Sequence, residues 1–229
     1  MIIINGILHT FIFAKNHSMV TIKTFVFNPF QVNTYLLVNE RNEGLLIDAA
    51  NYSKEEDAVL TEYLGKYNIK LTHHLLTHAH VDHILGAAYL EKQFGLLPVT
   101  HSKSLMFLES AKEYGSVFGL QVQPVTNPVS FLDDGEDFLF GNIEIKALHC
   151  PGHADGSLCY YLKNENILFS GDVLFAESIG RTDLPTGNMN VLLSSIREKL
   201  FVLPEETKVY PGHGEPTTIG HEQKHNPFL

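Results

Sequence analysis

The segment Thr77-His78-Ala79-His80-Val81-Asp82-His83 sets four metal-ligating side chains, His78, His80, Asp82 and His83, close together in a chain that has 13 histidines among 229 residues. Chance rarely produces this spacing. Neutral imidazoles at i and i+2 of an extended strand end point the same way and can share one ion. The Asp-His pair that follows, once the chain turns, can face a second ion beside the first. The chemistry implied is that of a two-metal site.

One loop alone would make a chelating peptide, so further ligands must arrive from distant segments. Three fit: His153 in Cys150-Pro151-Gly152-His153-Ala154-Asp155-Gly156-Ser157, Asp172 in Leu168-Phe169-Ser170-Gly171-Asp172-Val173-Leu174-Phe175, and His213 in Tyr210-Pro211-Gly212-His213-Gly214. Each follows a short apolar run and a glycine, as expected of a strand that ends in a tight turn and presents a polar side chain at one rim. The ligand set has about seven N/O donors, whereas structural zinc sites are four-coordinate and usually cysteine-rich. Ser157 and Ser170 lack a His-Asp partner free of metal duty, which disfavours a serine-hydrolase triad. Asp155 reads as a turn former. His9, His17, His73, His74, His101, His149, His221 and His225 have no ligand context.

The motif order T-H-x-H-x-D-H, G-H, G-D, G-H resembles the metallo-β-lactamase superfamily of αββα hydrolases over about residues 20–229. The resemblance implies an α/β fold, a four-layer αββα sandwich in a single domain over 19–229. It makes His78, His80 and His153 the first-site ligands, Asp82, His83 and His213 the second-site ligands, and Asp172 the bridging carboxylate. The stretch Ile179-Gly180-Arg181-Thr182-Asp183 and the tail from Ile219-Gly220-His221-Glu222 to Asn226-Pro227-Phe228-Leu229 are similar to the short, glyoxalase II-like branch. Position 80 is His rather than the Glu of flavodiiron oxidoreductases, and His83 beside Asp82 differs from the cysteine-using lactamase branch. The resemblance stops short of the helical domain with which full-length glyoxalase II enzymes grip glutathione, so it implies a thioester substrate without naming the thiol.

That branch implies two divalent ions, zinc by default and iron or manganese compatible with the same donors, that hold a hydroxide at neutral pH for attack on a hydroxyacyl-thiol ester. A thiolate, with an ordinary pKa of about 8.5, leaves without a dedicated acid. Asp82 would both ligate and orient the hydroxide. Arg181, where the full-length branch has a Lys that contacts the thiol carrier, is the expected substrate-binding cation. An Arg181–Asp183 pair that stiffens the loop is the competing reading. A mononuclear iron persulfide dioxygenase is the alternative function, since that branch also resembles the Gly-Arg-Thr-Asp segment and needs two His, one carboxylate and open positions on iron. The full second-site set favours the hydrolase.

The elements must carry these residues to one edge. Thr21–Phe27 and 32–39 read as strands around an Asn28-Pro29-Phe30 turn, and 44–48 as a third strand. Ser53-Lys54-Glu55-Glu56 is a capping box that opens a helix to about Tyr67. A strand over 71–77 feeds the metal loop, and a helix from His83 runs to about Phe94 and stops at Gly95. A short strand over 96–100, a helix from Ser102 to about Tyr114 and a run of short strands from Val129 to Phe175 follow. Residues 190–200 form a helix with Leu192, Ile196 and Leu200 on one face, before a last strand over 208–210. Strands and helices in this order suit two face-to-face sheets with helices outside.

Composition sets the outer bounds. With 44% hydrophobic and 18% charged residues the chain can bury an ordinary core. A formal net charge of −10 without Lys/Arg clusters argues against a nucleic-acid partner, and two cysteines suit a reducing cytosol. The apolar stretch before Ala14 has no charged leader region and is too short to span a bilayer. Residues 1–18 therefore read as an extension, either upstream of a natural start at Met19 or a loosely attached arm. The expected partner is a small-molecule thioester, not a membrane.

Overall fold

The computed structural model describes residues 20–125 and 130–229, so the extension expected over residues 1–18 lies outside the described residues. The N-terminal half supplies β1 (Thr21–Phe27), β2 (Val32–Val38), β3 (Glu43–Ile47), β4 (Lys70–Leu75), β5 (Pro98–Thr100) and β6 (Ser130–Phe131), which form one six-stranded sheet in that order. The C-terminal half supplies β7 (Asp137–Phe140), β8 (Ile143–His149), β9 (Leu158–Leu162) and β10 (Ile167–Gly171). A two-stranded ribbon of β11 (Leu174–Phe175) and β12 (Ser178–Ile179) follows, then β13 (Lys208–Pro211) and β14 (Thr217–Thr218). The second six-stranded sheet has the order β14-β13-β10-β9-β8-β7.

Period-two alternation makes the layers. On β9, Leu158, Tyr160 and Leu162 face the other sheet, where they join Tyr35, Leu37, Leu45, Ile47 and Leu75. Cys159 and Tyr161 point the opposite way, onto Leu192, Ile196 and Leu200. Leu36 and Leu46 likewise turn from the sheet interface toward Leu60, Leu64 and Leu90. The helices lie on the two outer faces: α1 (Lys54–Lys66) and α2 (Ala87–Phe94) on the first sheet, α5 (Met189–Ser195) and α6 (Ile219–His225) on the second. Two short helices, α3 (Leu105–Glu109) and α4 (Ala111–Val117), sit between α2 and β6 in the chain. This is the expected four-layer αββα sandwich.

Two buried tyrosines pin the sheets together beneath the expected site. Tyr35 on β2 donates to the Pro211 carbonyl at 2.6 Å, and Tyr160 on β9 donates to the Leu76 carbonyl at 2.7 Å. A buried hydroxyl without a partner would be costly, so each bond fixes its strand end as well as satisfying the phenol.

The capping box is present at Ser53 and Glu56. The second oxygen of Glu56 also accepts from the Asn28 backbone N–H at 2.7 Å. Elsewhere the helices differ from the sequence expectation. The helix expected from His83 begins at Ala87, after a 3₁₀ turn over Val81–His83. There Gly86 donates to the Ala49 carbonyl at 2.8 Å, and a Cβ at position 86 would collide with the Asn51 side chain, so the segment is clamped to the loop after β3. The helix expected from Ser102 is cut into a 3₁₀ turn, α3 and α4, with the break at Ser110, whose hydroxyl donates to the Met106 carbonyl at 2.6 Å. The helix expected over 190–200 starts at Met189, capped by Asn188, and widens to a π turn over Ile196–Leu200.

Candidate metal centre

The seven expected ligands meet at one edge of the sandwich. His78, His80, Asp82 and His83 follow β4 in the first sheet; His153, Asp172 and His213 follow β8, β10 and β13 in the second. Nε2 of His153 lies 2.8 Å from Nδ1 of His80 and 3.2 Å from Nε2 of His78. Nε2 of His213 lies 3.4 Å from an Asp82 oxygen, whose distance to Nε2 of His83 is 3.8 Å. Asp172 stands between the groups: one oxygen is 3.4 Å from His83, and the other is 3.5 Å from His213 and 3.7 Å from His153.

Donors at about 2.1 Å from one ion stand about 3.4 Å apart at the corners of a tetrahedron. The separations bracket that value, and three-residue groups capable of holding an ion arise as His78-His80-His153, His78-His83-Asp172 and Asp82-His83-His213. Nε2 of His83 and Oδ1 of Asp172 are buried without hydrogen-bond partners, as ligand atoms would be. The residues fit a pair of divalent ions.

The orientation of four of the five imidazoles, those of His78, His83, His153 and His213, is set through the other nitrogen. Nδ1 of His83 donates to Asp48 at 3.0 Å, Nδ1 of His153 to the Arg181 carbonyl at 2.8 Å, and Nδ1 of His213 to the Phe30 carbonyl at 3.0 Å. Nδ1 of His78 meets the Thr77 hydroxyl at 3.1 Å, which itself donates to Asp48 at 2.7 Å. The loop that carries Asp82 is held by Asn28, whose side chain donates to the Asp82 carbonyl at 2.9 Å. The Glu56 cap of α1 thus reaches the metal loop through Asn28.

Glycines permit the crowding. A Cβ at Gly212 would collide with the Asp172 carboxylate, and one at Gly180 with the Asp172 carbonyl. Burial lowers His78 well below the ordinary imidazole range and His80 to about 3, which leaves both as neutral ligands. Burial also pushes His213 down, but Asp172 and Asp82 outweigh it and hold His213 up at about 9.

A cavity of about 400 Å³ opens over His80, Asp82, His153, Asp172 and His213, walled by Phe30, Tyr114, Phe118, Phe175, Ile179 and Leu184. A larger cavity of about 790 Å³, beside Tyr52, Tyr89 and Lys92, touches none of the seven residues, so chemistry rather than size marks the site. Arg181 reaches the rim of the smaller cavity, and its guanidinium makes a bidentate pair with Asp183 at 2.7 and 2.8 Å.

The metallo-beta-lactamase superfamily profile matches residues 27–213. The chain belongs to the metallo-β-lactamase superfamily. Among relatives in this superfamily, the probable metallo-hydrolase YqgX of Bacillus subtilis is 36% identical over 88% of this chain and 93% of its own. Hydroxyacylglutathione hydrolase GloC of Haemophilus influenzae is 34% identical over 87% and 93%. Among solved structures, BLEG-1 B3 metallo-beta-lactamase superposes with a TM-score of 0.83 at 36% identity, covering 91% of this chain and 99% of that one. TTHA1623 in a di-iron-bound form gives 0.82 at 35%, over 90% and 100%. ETHE1 from Myxococcus xanthus gives 0.73 at 27%, over 90% and 83%. The αββα fold and a metallo-hydrolase of this superfamily are the common ground.

Sequence reasoning missed Asp48, Asn28 and the carbonyls of Phe30 and Arg181. Asp48 left one signal: an acid closing the apolar run Gly44-Leu45-Leu46-Ile47. It adopts a left-handed backbone, φ 55°, which is uncommon for a residue other than glycine.

Proposed function

We propose that the protein is a metal-dependent thioesterase of the glyoxalase II type that cleaves a hydroxyacyl-thiol ester in the cytosol. The observation that supports it most is the Asp172 carboxylate, which reaches His153 of one ligand group and His83 and His213 of the other. In this reading His78, His80 and His153 hold one ion, Asp82, His83 and His213 the other, and Asp172 both. The di-iron form of TTHA1623 is a precedent for two ions, and GloC for the thioester. Both cysteines are free and buried, which suits a reducing compartment. Among the described residues no helix is long and apolar enough to cross a membrane.

Divalent ions, zinc by default, supply Lewis acidity for a carbonyl and lower the pKa of water toward neutrality. The protein's part is orientation. Asp82 lines the cavity with its backbone tethered to Asn28, so its carboxylate is placed to hold a proton-bearing nucleophile at a defined angle. Among the described residues the cavity carries no carboxyl or imidazole outside the ligand set. Expulsion of a thiolate needs none.

Similarity to ETHE1 and to the Gly-Arg-Thr-Asp segment of iron persulfide dioxygenases supplies a second reading. Thiol release from a lactoyl thioester and oxygen uptake with a persulfide, measured on the same metal-replete protein, separate them. Thioester cleavage without oxygen uptake is expected; persulfide-dependent oxygen uptake without thioester cleavage would overturn the proposal.

A further inference from the structure

The walls of the site cavity carry a second layer of chemistry, independent of the ligands below. Phe30, from the β1–β2 turn, and Phe118, just past α4, meet edge to face with centroids 6.1 Å apart; Tyr114 on α4 meets Phe118 at 5.4 Å. Phe30 is 38% exposed and Phe118 44% exposed, and both line the cavity together with Phe175, Ile179 and Leu184. Aromatic side chains left exposed around a catalytic cleft offer apolar area to whatever enters it.

The charge balance of the same cavity is the second observation. Among the described residues that line it, Arg181 is the only Lys or Arg, and its two-pronged pair with Asp183 leaves no net charge at that rim. Asp183 takes Nε and Nη2 of Arg181, so an anionic carrier that met the remaining guanidinium donors would also lie beside the Asp183 carboxylate. A site built for an anionic thiol carrier would present a cation that is free to bind it.

We infer that the thiol carrier of the substrate is uncharged and apolar where it crosses the rim, and that Phe30, Tyr114 and Phe118 are its binding surface. This rests on the thioesterase reading and narrows it away from a glutathione-like carrier, although GloC is named for a glutathione ester. The acyl group sits over the metal ligands, and the carrier leaves through the aromatic mouth.

The test compares two lactoyl thioesters that differ only in the thiol, glutathione and phenylmethanethiol, on the metal-replete full chain. The phenylmethanethiol ester is expected to show kcat/KM at least about tenfold higher, with little dependence on salt. Phe118→Ala should raise KM for that ester about tenfold with kcat little changed, Phe118→Tyr should restore it, and metal content by elemental analysis should stay constant. Arg181→Ala should affect both esters equally. A preference for the glutathione ester, an unchanged KM in both Phe118→Ala and Phe30→Ala, or a selective loss of the glutathione ester in Arg181→Ala would overturn the inference and leave the thioesterase reading standing. Failure to cleave either ester with full metal content would remove both.

Discussion

The Asp48 carboxylate accepts hydrogen bonds from Nδ1 of His83 at 3.0 Å and from the backbone N–H and hydroxyl of Thr77, each at 2.7 Å. One buried acid therefore sets the tautomer of a histidine from the second ligand group. Through Thr77 it also steadies His78 in the first. Neither Asp48 nor Thr77 lines the cavity.

Replacing Asp48 by Ala should lower metal affinity about 10–100-fold, the usual cost of removing a carboxylate that orients a ligating imidazole. Competition with a chromophoric chelator measures it. An affinity equal to that of the unaltered protein would show that His83 keeps its orientation unaided.

Elemental analysis of replete protein should find about two divalent ions per chain. Asp172→Ala should lose both together, because its two oxygens reach different ligand groups. Retention of one ion would restrict Asp172 to a single site, and retention of both would remove it from the ligand set.

Gly212→Ala should fold and bind metal poorly, since the added Cβ collides with the Asp172 carboxylate and lies 2.8 Å from His83. Circular dichroism and metal content together distinguish displacement of the carboxylate from loss of the fold. Normal metal content would mean that the strand end shifts to accommodate the methyl group.

The acid limb of stability has a contributor outside the site. His74 on β4 is fully buried, accepts only a 3.4 Å contact from the Ala49 N–H, and is pushed by burial from 6.5 down to about 3. Between those values the unfolded chain takes up a proton that the folded chain refuses. Stability therefore falls as pH drops through that window, by up to about 1.4 kcal/mol per pH unit. In His74→Gln this part of the slope should vanish, so urea unfolding of variant and parent should diverge steadily from pH 6.5 toward 3. A constant difference would show that the folded state accepts the proton.

The site was legible where side chains of strong chemical character recur at short spacing or beside glycine: His78 to His83, Gly152-His153, Gly171-Asp172 and Gly212-His213. The layers were legible from alternation on strands such as β9 and from the Ser53–Glu56 cap. What orients His153 and His213 was not, because the acceptors are the carbonyls of Arg181 and Phe30, groups that every residue possesses. Arg181 drew notice for its charge, yet its clearest contact with the site is through its backbone. The breaks at Gly86 and Ser110 were hidden for a related reason. Helical periodicity continues across them, and only a tertiary clamp at Ala49 and a local hydroxyl bond interrupt it.

The division of the ligands between the two sheets has a mechanical consequence. His78, His80, Asp82 and His83 belong to the half of the chain that builds the first sheet, and His153, Asp172 and His213 to the half that builds the second. An ion held by both groups is a cross-link between halves, closing a loop of at least 73 residues, and a clip restrains the unfolded ensemble more the longer the loop it closes. The same ions that serve catalysis would then rivet the sandwich shut, and a chelator would act on the protein much as a reductant acts on one held by a disulfide.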